Sequence, residues 1–159
     1  MGKPKRANRG RTPASEESRA QKPAPQVGTS SLKKGEVSEL AFLHKAASLG
    51  FALSLPYGVL PYDFVVEGGR NLWRVQVKSV TCMREGLYHI AIRHRAEHRA
   101  QAYTGSEIDF VAAYIIPEGT WYILPVREVM GRTSFHFRPR GWARRDPYAR
   151  YREAWHLLR

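Results

Sequence analysis

Two runs of β-forming residues, Tyr62 to Glu67 and Leu72 to Ser79, are separated only by Gly68-Gly69-Arg70-Asn71. Gly-Gly between two such runs signals a tight hairpin, because the favoured hairpin turns need positive φ at their centre. A tight hairpin sets the register of its strands. Register in turn decides which side chains share a face, since these alternate with period two. On the second strand, Trp73, Val75 and Val77 are expected to face the core, and Arg74, Gln76 and Lys78 to face the other way. On the first, Tyr62, Phe64 and Val66 share one face and Asp63, Val65 and Glu67 the other. A carboxylate, an amide oxygen and an ammonium then converge, from Asp63, Gln76 and Lys78.

The rest of the chain builds elements around this hairpin. A helix is predicted over 34–49, with Ser30 or Ser31 able to cap a slightly earlier start. Val37, Leu40, Ala41, His44 and Ala47 follow helical spacing, and Gly50 suits the position just past the end. A short strand follows at Phe51 to Leu55, stopped by Pro56. Further strands are expected at Leu87 to Ile92, Asp109 to Ile116, Trp121 to Leu124 and Thr133 to Phe137, with a helical turn at Val126 to Met130. Residues 93–106 are polar and give no clear period. Asp146 before Pro147 marks a helix start, and Tyr148, Tyr151, Trp155 and Leu158 would form one face of that terminal helix. The order predicts an α/β domain with a mixed central β-sheet flanked by helices.

Charge divides the chain in three. Residues 1–34 carry net +7, residues 127–159 net +6, and residues 35–126 net −1. A total of +12 with a pI near 10.3 points to a polyanionic partner. Residues 1–31 are too poor in large apolar side chains to offset their ordering entropy, and read as a disordered basic tail able to contact nucleic acid. Residues 32–137 read as the folded domain, and 138–159 as an Arg/aromatic extension with the terminal helix. The single cysteine, Cys82, allows no internal disulfide, which fits a reducing compartment. No apolar run is long enough to span a bilayer, and no secretory signal is evident. A cytoplasmic protein is expected, nucleoid-associated if bacterial.

Phosphodiester hydrolysis needs oxygen ligands for a hard cation and a basic group beside the attacking water. The hairpin offers both, and the preceding helix can add Glu39, with Glu36 in reserve. Lys34-Gly35-x-x-x-Glu39, Pro61-Tyr62-Asp63 and Gln76-Val77-Lys78 together resemble the PD-(D/E)XK nuclease superfamily. The resemblance is strongest to the branch with archaeal Holliday-junction resolvases and group I intron-encoded homing endonucleases. Ile108 to Val111 and Trp121 to Val126 look like that branch's later strands. It implies a restriction-endonuclease-like fold and a DNA endonuclease dependent on Mg²⁺ or Mn²⁺. Asp63, Gln76, the Val77 carbonyl and Glu39 would hold the metal, and Lys78 would serve the nucleophile. It also implies a homodimer or tetramer, for which aromatics near the C-terminus could supply an interface. Gln76 departs from the usual Asp or Glu, as it does in the intron-endonuclease branch, and removes one negative charge. The alternative is a non-catalytic nucleic-acid-binding module that retains the fold.

Two other clusters carry chemistry. His94-Arg-Ala-Glu97-His98 matches the inverted zincin pattern H-x-x-E-H, which needs a helix and a third ligand. Arg93, Arg95 and Arg99 crowd it, favouring a phosphate-contacting edge or a solvated loop. Arg138, Arg140, Trp142, Arg144 and Arg145 interleave arginines with an aromatic, a pattern suited to phosphate contact and base stacking.

Overall fold

The computed structural model describes residues 1–2, 31–96, 99–141 and 145–159. Residues 3–30 of the basic tail, Glu97, His98, Trp142 and Arg144 lie outside them. The first helix, α1, spans Ser31–Ser48, and β1 (Ala52–Ser54) follows. The predicted hairpin is β2 (Phe64–Gly68) and β3 (Asn71–Val80). Next come β4 (Tyr88–Ala91), β5 (His94–Ala96), β6 (Arg99–Gln101), β7 (Phe110–Ile115) and β8 (Thr120–Pro125). The short helix α2 (Val126–Val129) and strand β9 (Ser134–Phe137) complete the regular part.

The main sheet has the order β1-β2-β3-β7-β8; its neighbours β3 and β7 pair in parallel and its other neighbours pair antiparallel. It is therefore the mixed sheet of the expected α/β class. The hairpin register pairs Phe64 with Val75 and Gly68 with Asn71. Gly68 is fixed by space: a Cβ there would lie 1.8 Å from the Leu158 carbonyl oxygen.

Both faces of the sheet are covered, which is why its alternating residues split between two apolar clusters. Val75, Val77, Phe110, Ala112 and Ile123 pack beneath α1. Val111, Ala113, Ile115, Tyr122 and Leu124 face β4, β9 and Val129 of α2. The face predicted to point away from the core is thus itself partly enclosed, and Gln76 is buried.

The helix forms where predicted, and Gly50 closes it with φ +83°. Its buried stripe differs from the predicted one. Ser38, Phe42 and Ala46 are buried at i, i+4 spacing, while Val37, Leu40, His44 and Ala47 are exposed. Phe42 decides this orientation. Its ring sits 5.2 Å from Phe64 and 5.6 Å from both Trp121 and Trp155, and burying a ring of that size is worth about 2–3 kcal/mol. The polar edge of α1 that carries Glu39 then meets the end of β3.

The predicted terminal helix does not form. Residues 145–159 instead make two 3-10 turns, Ala149–Tyr151 and Trp155–Leu158, separated by extended Arg152 and by Glu153 at φ 49°. The Glu153 amide donates to the Trp121 carbonyl at 2.8 Å, and its carboxylate accepts the Trp121 amide at 2.7 Å. These bonds cover the open edge of β8, and an unpaired edge is costly to leave bare. The break also sends the aromatics to opposite faces: Tyr151 joins one cluster, Trp155 and Leu158 the other. Tyr151 and Trp155 are buried within the chain. Among the described residues, no helix is long and apolar enough to cross a membrane.

Candidate active site

The hairpin and α1 meet at a cleft of about 450 Å³ lined by Glu39, Asp63, Gln76, Val77 and Lys78, with Lys34 and Ser79 at its margin. The four residues singled out from the sequence therefore lie together, although Glu39 comes from a different element. Glu36 is exposed and does not line the cleft. Helix and strand are pinned here by the Ser38 hydroxyl, which bonds Ser79 Oγ at 2.6 Å and the Lys34 carbonyl at 2.8 Å.

Asp63 is held rather than loose. Its amide donates to the Val75 carbonyl at 2.9 Å, extending the ladder one residue before β2. Its carboxylate accepts the Val77 amide at 2.7 Å and a bond from Gln76 Nε2. The same Gln76 nitrogen reaches the Val77 carbonyl at 3.1 Å. The Gln76 oxygen accepts from the Tyr103 hydroxyl at 3.2 Å. An amide N–H₂ thus sits between two oxygen acceptors, the place of a positive partner in a cluster of oxygens.

The electrostatics agree. Burial raises the Asp63 pKa above the usual carboxylate value, against the bonds from Val77 and Gln76 and the charge of Lys78. Glu39 is also raised, first by burial and then by repulsion from Asp63 and Glu36. Burial lowers Lys78, opposed by attraction to Asp63 and Glu39. Two desolvated carboxylates face one lysine, so the donor set is short of cation. Two carboxylates, an amide oxygen and a peptide carbonyl are hard oxygen donors of the type that Mg²⁺ and Mn²⁺ prefer. The residues fit such an ion. Among the described residues, no group of three or more His, Cys, Asp or Glu is placed to hold a metal ion.

Arg74 and Asp109 lock the parallel strand beside the site. Arg74 donates from its backbone amide at 2.8 Å, from Nε at 3.0 Å and from Nη2 at 2.9 Å to the two Asp109 oxygens. Burial pushes the Asp109 carboxyl up, but these bonds outweigh it and hold the pKa below the ordinary value. Strand alternation puts Arg74 on the polar face, but its partner, the residue before β7, is distant in sequence. Tyr103 was missed too, since it is distant from Gln76 in sequence and lies in a stretch without a period.

The other candidate residues are scattered. His94 lies on β5, which pairs antiparallel with β6 and is a strand where a zincin needs a helix; Glu97 and His98 of the H-x-x-E-H segment lie outside the described residues. Its imidazole contacts Glu107 at 3.0 Å and stacks on Tyr103 at 4.8 Å. Arg95 falls on β5 opposite Ala100. Arg140 bonds Thr120 Oγ1 at 2.6 Å and lies 3.9 Å from the Glu118 carboxylate. Arg138 donates to the Arg145 carbonyl.

Residues 29–158 match the PD-(D/E)XK endonuclease family. The chain belongs to that family, and its class is that of an endonuclease. Its structure is similar to that of a bacterial homing endonuclease, I-Ssp6803I, with a TM-score of 0.68 and 29% sequence identity over 81% of this chain and 91% of that chain. No curated protein matches the chain.

Proposed function

We propose that the protein is a divalent-metal-dependent DNA endonuclease, with Asp63, Gln76, the Val77 carbonyl and Glu39 as the set that would hold Mg²⁺ or Mn²⁺. The observation that carries this is the convergence of Asp63, Glu39 and Lys78 on one cleft, with both carboxylates raised and the lysine lowered in pKa. DNA as the substrate rests on the family match and on the homing endonuclease neighbour. When bound, the ion supplies positive charge against the phosphate and makes a nearby water more acidic.

The chain's own residues do the rest. Asp63 is fixed by the Val77 amide and keeps its carboxylate aimed into the cleft. Lys78 is half-buried, with Nζ 5.7 Å from the Tyr103 ring centroid. A lowered pKa brings its amine closer to neutrality at working pH, which suits taking a proton from the attacking water. As an ammonium it would instead stabilise charge on the phosphate. Cutting both strands of a duplex with a site of this size calls for two copies, so a homo-oligomer is part of the proposal. Arg138, Arg140, Trp142, Arg144, Arg145, Arg93 and Arg95 remain candidates for DNA contact.

The test is cleavage of supercoiled, linear and branched DNA with Mg²⁺, with Mn²⁺ and with chelator. Wild type cuts only with metal. Lys78→Ala loses cutting by about 10²-fold or more while still binding DNA. Equal behaviour of the two proteins across all substrates and metals sinks the proposal.

A further inference from the structure

A second groove of about 580 Å³ adjoins the cleft and shares Lys34 and Ser79 with it. It runs from the end of β3 over β4 and β9. Its charged side chains are Lys34, Arg84 and Arg93, and no carboxylate lines it. All three cations are exposed, and none has a carboxylate within ion-pair distance among the described residues. This separates them from Arg74, Arg140, Arg150 and Arg152, which are each tied to an acidic residue of the fold. His89 and His136 stand opposite one another across β4 and β9, their rings 4.2 Å apart. The Nε2 of His89 is buried with no hydrogen-bond partner among the described residues, which native structures avoid unless something occupies the site.

We propose that this groove seats the sugar–phosphate backbone of duplex DNA and leads it into the cleft of Asp63 and Lys78, an inference that rests on the endonuclease reading. Three unpaired cations with neighbouring hydroxyl and imidazole groups match a row of phosphates. Lys34 stands where the two depressions meet, so a strand in the groove enters the cleft beside it. The cleft sets the carboxylates of Asp63 and Glu39 against Lys78, and Arg84 and Arg93 next door add attraction for phosphate that no carboxylate offsets.

Cys82, the only cysteine of the chain, is exposed and lines the groove. It reports occupancy directly. In chelator, wild-type protein is alkylated with iodoacetamide with and without duplex DNA. With duplex held about tenfold above Kd, Cys82 reacts roughly tenfold more slowly. Arg84→Ala with Arg93→Ala weakens binding roughly tenfold and reduces the salt slope by about 2. Arg70→Ala, in the hairpin turn, serves as the control, and thermal unfolding checks that each variant folds. Unchanged alkylation of Cys82 while duplex is bound overturns the groove, and so does an unchanged salt slope in the double variant. If DNA is cut with Mg²⁺ yet Cys82 stays unprotected, the groove fails and the endonuclease reading stands. If Cys82 is protected but no DNA is cut under any metal, the groove stands and the endonuclease reading fails.

Discussion

The Tyr103 hydroxyl donates to the Gln76 amide oxygen at 3.2 Å, and this bond decides which end of the amide faces Asp63. With the oxygen held by Tyr103, the N–H₂ is left for the Asp63 carboxylate and the Val77 carbonyl. To offer oxygen to a cation, the amide must turn over. Tyr103 can then accept where it had donated, because a phenolic hydroxyl does both.

Gln76→Glu tests this arrangement. A carboxylate at this position puts oxygen against the oxygens of Asp63 and Val77. Without metal the protein is expected to lose about 1–3 kcal/mol, since a hydrogen bond is lost and a buried charge is added. Mg²⁺ or Mn²⁺ should restore more stability to Gln76→Glu than to wild type, because the ion then neutralises an extra charge. The measurement is thermal unfolding in chelator and over a metal titration. An equal metal-induced shift in the two proteins would show that position 76 does not face the ion.

Asp63 makes the metal-free protein less stable as pH rises. Its folded pKa is raised, mainly by burial, so the folded state binds more protons than the unfolded state above the ordinary carboxylate pKa. Stability is full below that value and is lost as pH rises through the folded pKa. Asp63→Asn should therefore stabilise the metal-free protein near neutrality and remove part of this dependence. Urea unfolding in chelator from about pH 4 to 7 reads the difference. Parallel profiles for the two proteins would reject the assignment.

Asp109 carries the opposite sign. Its pKa is lowered in the folded state by the bonds from Arg74 despite burial. The stabilisation is present above the ordinary carboxylate pKa and lost as pH falls through the folded value. Asp109→Ala should cost about 2–3 kcal/mol at neutral pH, since it removes charge-assisted bonds and leaves Arg74 without its partner. The loss should shrink in strong acid, where wild type has also lost the interaction. A pH-independent loss from denaturant titrations would assign the effect to packing alone.

Local pattern determined a good deal. The β2–β3 hairpin and the convergence of Asp63 with Gln76 follow from Gly68-Gly69 and period-two alternation, because a tight turn transmits register along both strands. Helix α1 and the position of Glu39 along it were also legible, as was membership of the nuclease family from three spaced motifs. The buried stripe of α1 was not, because the position of Phe42 is set by Phe64, Trp121 and Trp155, which come from three distant segments. The C-terminal break at Arg152 and Glu153 was hidden as well. Its reason is the bare edge of β8, which exists only once the sheet is assembled. Charge shows the division most clearly. Along the sequence, residues 35–126 are near neutral, yet folding draws Arg84 and Arg93 out of that stretch and sets them beside Lys34. Short-range geometry is written in the order of residues. Which charges share a groove depends on long-range packing, which no local spacing encodes.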